Sequence, residues 1–227
     1  NIDNIRQEAM ATFASQNRVV TKEDYIVRCY SMPAKFGAVQ KAYIVQDEQI
    51  ESNNPDQVIP NPFALNLYTL GYDQSKNFTP LNVALKDNLK TYLSQFRMLT
   101  DAINIKTAYI INIGVEFEVI TIPNVNSNEV ILRCIDYFKK KFNNDEMQIN
   151  QSIVISNLMS ELDRVEGVQT VVDITIENLF DTNEGYSGNV YDIKTATKNK
   201  TIYPSMDPAI FEVKYPDKDI KGRIVTF

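Results

Sequence analysis

The sequence of 227 residues contains no histidine and no tryptophan, and it has only two cysteines and seven glycines. Without an imidazole, the chain cannot form a Ser-His-Asp triad, a Cys-His dyad or a histidine-ligated zinc site. Cys29 and Cys134 lie far apart, which excludes a disulfide framework and a C-x-x-C motif. The few glycines form neither of the usual nucleotide-binding patterns, G-x-G-x-x-G and G-x-x-x-x-G-K.

Charge and hydropathy exclude two further classes of partner. The chain has 23 Lys and Arg against 29 Asp and Glu, a net charge of -6. An acidic protein is repelled by phosphate backbones, so we expect no nucleic-acid partner. No apolar run approaches the ~18 residues of a membrane span, and no signal-peptide pattern is present, so we expect no membrane partner. Because the first residue is Asn1 rather than Met, we expect the chain to be a piece of a longer protein.

Two helices and a strand are predicted in the first 46 residues. Apolar residues at helical spacing predict a first helix over residues 2–14. Thr21 and Asp24 have the spacing of a capping box and predict a second helix that runs through Tyr30. Alternating apolar residues after that helix predict a short strand over 38–46.

The next segment predicts a long connection, a strand and a helix. Residues 47–62 are rich in Asn, Asp and Glu and include three prolines, which is typical of a loop or crossover. An apolar run predicts a strand over 63–72. From Leu81 to Phe96 the apolar residues follow the clearest helical stripe of the chain, and this stripe must face a core or another subunit.

Residues 109–177 predict a strand, two helices and a second strand. Alternation in the first strand places aliphatic residues on one face and Asn112, Glu116 and Glu118 on a solvent-exposed face. Asn126 predicts the cap of the first helix. The whole chain is therefore predicted to be an α+β protein with two small lobes of strand-helix-helix-strand organisation and a long connecting loop.

The predicted domain organisation follows from these elements. The first lobe covers residues 1–100 and includes the long loop 47–62, and the second lobe covers 101–180. Residues 181–227 contain strand-like segments interrupted by prolines, which is typical of edge strands or of an arm laid along a neighbour. We therefore predict an extended C-terminal arm.

The motifs that could carry chemistry each have a simpler interpretation. Glu116 and Glu118 form a carboxylate pair with no third ligand or partner base in view, which favours a solvated strand face. The loop Asp181–Gly185 lacks the residue order of a calcium site and indicates an Asx-rich turn. Lysines 139–141 suit the C-terminal end of a helix. The two cysteines lie on apolar helix stripes, so we predict that they are core residues, and we predict no catalytic residue, cofactor or metal.

Several short segments share their order with a known family. Arg18–Tyr25 reads R-V-V-T-K-E-D-Y between two predicted helices. Tyr92-Leu93 and Arg97 precede a long strand, and Val165–Val168 enters the last strand of the second lobe. Together these segments resemble the Baseplate J-like family of contractile phage tails. Within that family, the long loop and the tail Ile202–Pro208 look most like the C-terminal region of T-even-type bacteriophage baseplate wedge subunits.

The resemblance covers about Asn4 to Val225 and implies a structural subunit rather than an enzyme. Such subunits dimerise, link neighbouring wedges into a ring around the central hub and take part in the rearrangement that triggers sheath contraction. Its implied partners are other copies of itself and other baseplate wedge and hub-proximal subunits, in a virion tail assembled in the bacterial host cytoplasm. The candidate interface residues, chosen from the predicted helix and the tail, are Leu81, Leu85, Tyr92, Phe96, Tyr203, Phe211 and Tyr215.

Two other classes remain open at this point. A strand-helix-helix-strand unit also occurs in RNA-binding folds, which need stacking aromatic residues on the sheet and a basic surface. An acidic RNA-binding-like domain is therefore one alternative, although Glu116 and Glu118 are unfavourable for it. A carboxylate metal-binding domain is the other, and it predicts a melting temperature that rises with added metal.

Overall fold

The computed structural model describes residues 19, 21–50, 58–97, 102–205 and 207–225. The helix predicted over 2–14 lies outside the described residues. The chain divides into two compact units. Unit 1 contains Asn1–Gly71 and Pro80–Thr107, and unit 2 contains Tyr72–Thr79 and Ala108–Phe227. Among the described residues, no helix has the length and apolar character that a membrane span requires.

The described part of the chain is a mixture of helices and strands, which confirms the predicted α+β class. In chain order the elements are α1 (Lys22–Tyr30), β1 (Lys41–Ile50), β2 (Val58–Tyr72), β3 (Phe78–Thr79), α2 (Val83–Ser94), β4 (Ala102–Thr107), β5 (Tyr109–Thr121), α3 (Ser127–Lys141), β6 (Ile153–Val154), α4 (Ile155–Leu162), β7 (Val168–Asn178), α5 (Ile193–Ala196), β8 (Thr197–Lys198), β9 (Thr201–Ile202), β10 (Ala209–Glu212), α6 (Pro216–Asp219) and β11 (Ile220–Ile224).

Unit 1 packs α1 and α2 against a sheet in which β2 is central. The predicted capping box is present at the start of α1: Asp24 N donates to Thr21 Oγ1 over 3.2 Å, and Thr21 N donates to Asp24 Oδ2 over 2.9 Å. In the sheet, β1 pairs antiparallel with β2 and β4 pairs parallel with it. The core between helices and sheet includes Tyr25, Cys29, Leu67, Leu89 and Leu93. The strand β4 was not predicted.

The loop predicted over 47–62 is wrong over much of its length. β1 extends through Ile50 and β2 already begins at Val58. β4 pairs with β2 only from Ala64 onward, so Pro60 lies where β2 pairs with β1 alone among the described strands. An edge position tolerates proline because no hydrogen bond is required on the open side.

Unit 2 is built around the long central strand β5. β7 pairs antiparallel along one edge of β5, whereas β10 and β11 pair parallel with it in succession along the other edge. Helix α3 packs on one face of the sheet, where Phe117 and Phe138 have ring centroids 5.1 Å apart. Gly222 in β11 leaves room for the Phe117 ring, which a Cβ at that position would overlap. The predicted order of strand, two helices and strand corresponds to β5, α3, α4 and β7.

The C-terminal segment 181–227 differs from the predicted extended arm. It contributes β10 and β11 to the central sheet of unit 2, and Ile210 and Phe211 are fully buried there. Three prolines suggested an arm, but they lie between strands or begin a helix, as Pro216 does in α6. Proline is tolerated at these positions. The prolines therefore mark the ends of elements and do not prevent β10 and β11 from joining the sheet.

The two cysteines occupy the core, as predicted. Cys29 and Cys134 are 0% exposed, and burial raises the pKa of Cys29 to about 12 and that of Cys134 to about 11. Only the thiolate is strongly nucleophilic. We therefore expect neither thiol to react with Ellman's reagent at mildly alkaline pH in the folded protein, and both to react in denaturant. Titration of either thiol before unfolding would contradict this placement.

Candidate functional site

The most buried polar side chains of unit 2 meet where β10 lies beside the first residues of β5. Asn112 is 0% exposed and Glu212 is 1% exposed, and the parallel register places the two residues side by side. Asn112 Nδ2 donates to Glu212 Oε2 over 2.8 Å. This contact joins two strands that are distant in sequence.

Three other segments of unit 2 attach to this pair. Glu212 Oε1 accepts from Phe78 N over 2.6 Å and from Asn144 Nδ2 over 3.1 Å. Asn112 Oδ1 accepts from Ser187 N over 2.7 Å. Strand β3, the segment after α3 and the loop after β7 are therefore all attached to one buried cluster, which we call the Asn112–Glu212 network.

Burial and hydrogen bonding act in opposite directions on the carboxyl group of Glu212. Burial raises the pKa of Glu212, and this effect exceeds the lowering by the donors Phe78 N, Asn112 and Asn144 and by the positive charge of Lys214. Both carboxyl oxygens accept hydrogen bonds inside the fold. The arrangement is therefore suited to holding backbone and amide groups in place rather than to meeting a substrate.

The carboxylates predicted on a solvated strand face lie on the sheet face opposite α3. Glu116 Oε1 lies 3.7 Å from Lys221 Nζ, and Glu118 forms an ion pair with Arg223. The Glu116 side chain is 58% exposed, which confirms its prediction as a solvated residue. The same prediction is wrong for Asn112, because β10 and the loop that carries Ser187 enclose that end of β5.

The other charged motifs have the simpler roles that the sequence indicated. Asp181 Oδ1 accepts from Asn183 N over 2.9 Å, as in an Asx turn. Lys139 pairs with Asp217 at 2.6 Å and Lys141 with Glu161 at 2.8 Å. Within the described ranges, no group of three or more Cys, Asp and Glu side chains is placed to hold a metal ion.

The seven candidate interface residues are divided between the core and the surface. Leu81 and Phe211 are buried, and three others pack partly buried against the core of unit 1, namely Leu85, Tyr92 and Phe96. The apolar stripe of α2 thus faces the core of its own unit. Tyr203 is 49% exposed and Tyr215 is 38% exposed. These two tyrosines are the most exposed of the seven candidates.

Sequence reasoning missed the Asn112–Glu212 network. Its signal was a pair of polar residues inside apolar runs, Asn112 between Ile111 and Ile113 and Glu212 after Ile210 and Phe211. A polar residue in a buried strand needs a partner, but the sequence does not say which distant residue supplies it.

Comparison with known proteins finds a similar fold among solved structures. No protein-family model matches the chain, and no curated protein matches it. Its fold is similar to that of a chain in the cryo-EM structure of the anti-feeding prophage (AFP) baseplate, 6-fold symmetrised, with a TM-score of 0.57 and 11% sequence identity. The similarity covers 93% of this chain and 42% of that chain, so this chain spans about two fifths of its length. The two chains share a fold.

Replacement of Glu212 by Gln tests the network. Glutamine has a single acceptor oxygen, so its amide would face either Asn112 Nδ2 or the donors Phe78 N and Asn144 Nδ2. A buried donor left without an acceptor costs about 1–3 kcal/mol, and we expect a loss of that size in the free energy of unfolding, measured with urea. The matched control Glu177→Gln lies on the exposed sheet face and should change stability by less than about 0.5 kcal/mol. Equal stability of the two variants would contradict the proposed role of Glu212.

The difference in stability between the natural chain and Glu212→Gln is expected to depend on pH. Because the pKa of Glu212 is raised in the folded state, its contribution to stability is fully present below the unfolded pKa, about 4.3. That contribution is lost as pH rises through the folded pKa. The stability difference between the natural chain and Glu212→Gln should therefore narrow as pH rises above about 4.3, in urea unfolding followed over pH. A difference that widens with pH would mean that the donors outweigh burial.

Proposed function

We propose that this chain is a structural, non-enzymatic subunit of a contractile-tail baseplate and forms part of a baseplate wedge. The observation that carries the proposal is the fold similarity to a chain of the AFP baseplate over 93% of this chain. The sequence resemblance of Arg18–Tyr25 and Val165–Val168 to the Baseplate J-like family supports the same assignment.

In this proposal the chain dimerises, links neighbouring wedges into a ring around the hub and takes part in the rearrangement that triggers sheath contraction. Its partners are other copies of itself and other wedge and hub-proximal subunits, and its location is the virion tail after assembly in the host cytoplasm. Tyr203 and Tyr215 support this role because exposed tyrosines are favourable contact residues in protein interfaces. Nucleic acid and membranes are not partners in this proposal.

The sheet face of unit 2 does not favour the RNA-binding alternative. RNA-binding sheets present aromatic side chains on which bases stack. Here the open face carries the carboxylates Glu116, Glu118, Asp173 and Glu177 beside Lys221 and Arg223. Carboxylates at these positions would repel the phosphates of RNA. No observation favours a second function over the structural one.

Immunogold electron microscopy tests the proposal directly. Contractile tails purified from the cells that encode the chain would be labelled with antibodies raised against it, with antibodies pre-adsorbed on the pure chain as the control. We expect gold at the baseplate end of the tail, because a wedge subunit occupies only that position. Label along the sheath, or absence of the chain from purified tails by mass spectrometry, would overturn the proposal.

A further inference from the structure

The segment Tyr72–Thr79 is a hairpin with its own internal hydrogen bonds. A tight turn joins β2 to β3, and Asp73 N donates to Asn77 O over 2.9 Å. Asp73 Oδ1 accepts from Ser75 N over 2.7 Å and from Asn77 N over 2.9 Å. These bonds lie inside the segment, so they do not attach it to the rest of unit 2.

This hairpin belongs to unit 2, although the chain on either side of it, up to Gly71 and from Pro80, belongs to unit 1. Hydrogen bonds at Tyr72, Lys76 and Phe78 attach it to unit 2. Phe78 N donates to Glu212, and Asn144 Nδ2 donates to the carbonyl oxygen of Lys76 over 2.9 Å. Tyr72 Oη donates to Asp145 Oδ1 over 3.1 Å. The Phe78 side chain is 5% exposed and adds an apolar contribution.

The seam between the hairpin and the rest of unit 2 is incompletely filled. Asn144 Oδ1 is buried and has no hydrogen-bond partner within the described part of the chain. The amide cannot be turned over, because Nδ2 already faces two acceptors, Lys76 O and Glu212 Oε1. A groove of about 500 Å³ opens beside it and is lined by Ser75–Asn77, Lys139, Phe142–Asn144 and Val213–Lys218. An unpaired buried acceptor weakens the attachment.

The sheet of unit 2 does not need the hairpin. Among the described strands, β5 pairs with β7, β10 and β11, all of which come from residues after Ala108. Departure of the hairpin would therefore break no strand pairing of that sheet. A segment that pairs with no strand of a sheet can open locally while that sheet stays folded.

We propose that Tyr72–Thr79 is a releasable latch, which leaves unit 2 as one piece while the β5 sheet stays folded, and that Glu212 and Asn144 control how often it is released. Release frees the chain between Gly71 and Pro80 from its attachment to unit 2. Use of this latch in a baseplate rearrangement rests on the proposed function, whereas the release itself does not.

Limited proteolysis with trypsin tests the latch, because Lys76 lies in the turn. Cleavage there requires the hairpin to leave unit 2 and its turn to open, so the cleavage rate follows the population of the released form when release is fast. Initial cleavage rates after Lys76 and after Arg223 in β11 would be measured by mass spectrometry. We expect Glu212→Gln to raise the rate after Lys76 about fivefold, and most at the lowest pH at which trypsin cleaves, while the rate after Arg223 rises much less.

Asn144→Ala and Glu177→Gln complete the design. Asn144→Ala removes the bond to Lys76 O but keeps the Asn112–Glu212 pair, so it should fold even if Glu212→Gln does not, and it should also raise cleavage selectively after Lys76. Glu177→Gln should leave both rates unchanged. Equal rises after Lys76 and Arg223, or no rise after Lys76 in the folded variant, would overturn the latch. Neither result depends on where the protein is located in a tail, so failure of the latch is distinguishable from failure of the proposed function.

Discussion

Unit 2 depends on a hydrogen-bonding partner along both edges of β5. This strand of 13 residues pairs with β7 on one edge and with β10 and then β11 on the other. Its apolar face packs against α3, with Phe117 and Val119 almost fully buried. Segments from residue 109 to residue 224 therefore converge on one strand, and the chain that connects them must follow the path that these pairings set.

The Asn112–Glu212 network makes the pairing of β10 specific. A slip of β10 by one residue would place Phe211 beside Asn112 and leave the polar pair without partners in a buried site. Such a slip also reverses the face to which every side chain of the strand points. Burying a carboxyl group costs free energy, and the three hydrogen-bond donors to Glu212 offset part of that cost. The pair in turn specifies a single register for β10.

Local signals in the sequence predicted the elements that local interactions determine. The Thr21–Asp24 capping box, the Asn126 cap and the alternation in β5 each correspond to an observed element. The positions of β10 and β11 could not be predicted in this way, because a parallel pairing joins residues about a hundred positions apart and its partner is set by the whole fold. The prolines near residue 60 and in the tail led to the wrong prediction of a loop and an arm for a related reason. The free-energy cost of a proline in a strand depends on whether its edge of the strand must pair with another strand.

The candidate site shows the same limit. An amphipathic stripe such as that of α2 must be buried, but its pattern does not distinguish the core of its own unit from the surface of a partner. In the structure Leu85 and Phe96 are partly buried against the core of unit 1, whereas Tyr203 and Tyr215 are exposed. An assembly role for these surfaces belongs to the proposed function, because the similarity to a baseplate chain shows the fold alone and the residues themselves encode no assembly motif.

Native-state hydrogen exchange, followed amide by amide, tests most directly the claim that β5 organises unit 2. Amides of a strand paired on both edges exchange only when the whole unit unfolds. We expect the slowest exchange of unit 2 in the β5 amides between Ile111 and Val119, with free energies of opening equal to that of global unfolding. Exchange of these amides as fast as those of the edge strands β10 and β11 would contradict a central role for β5.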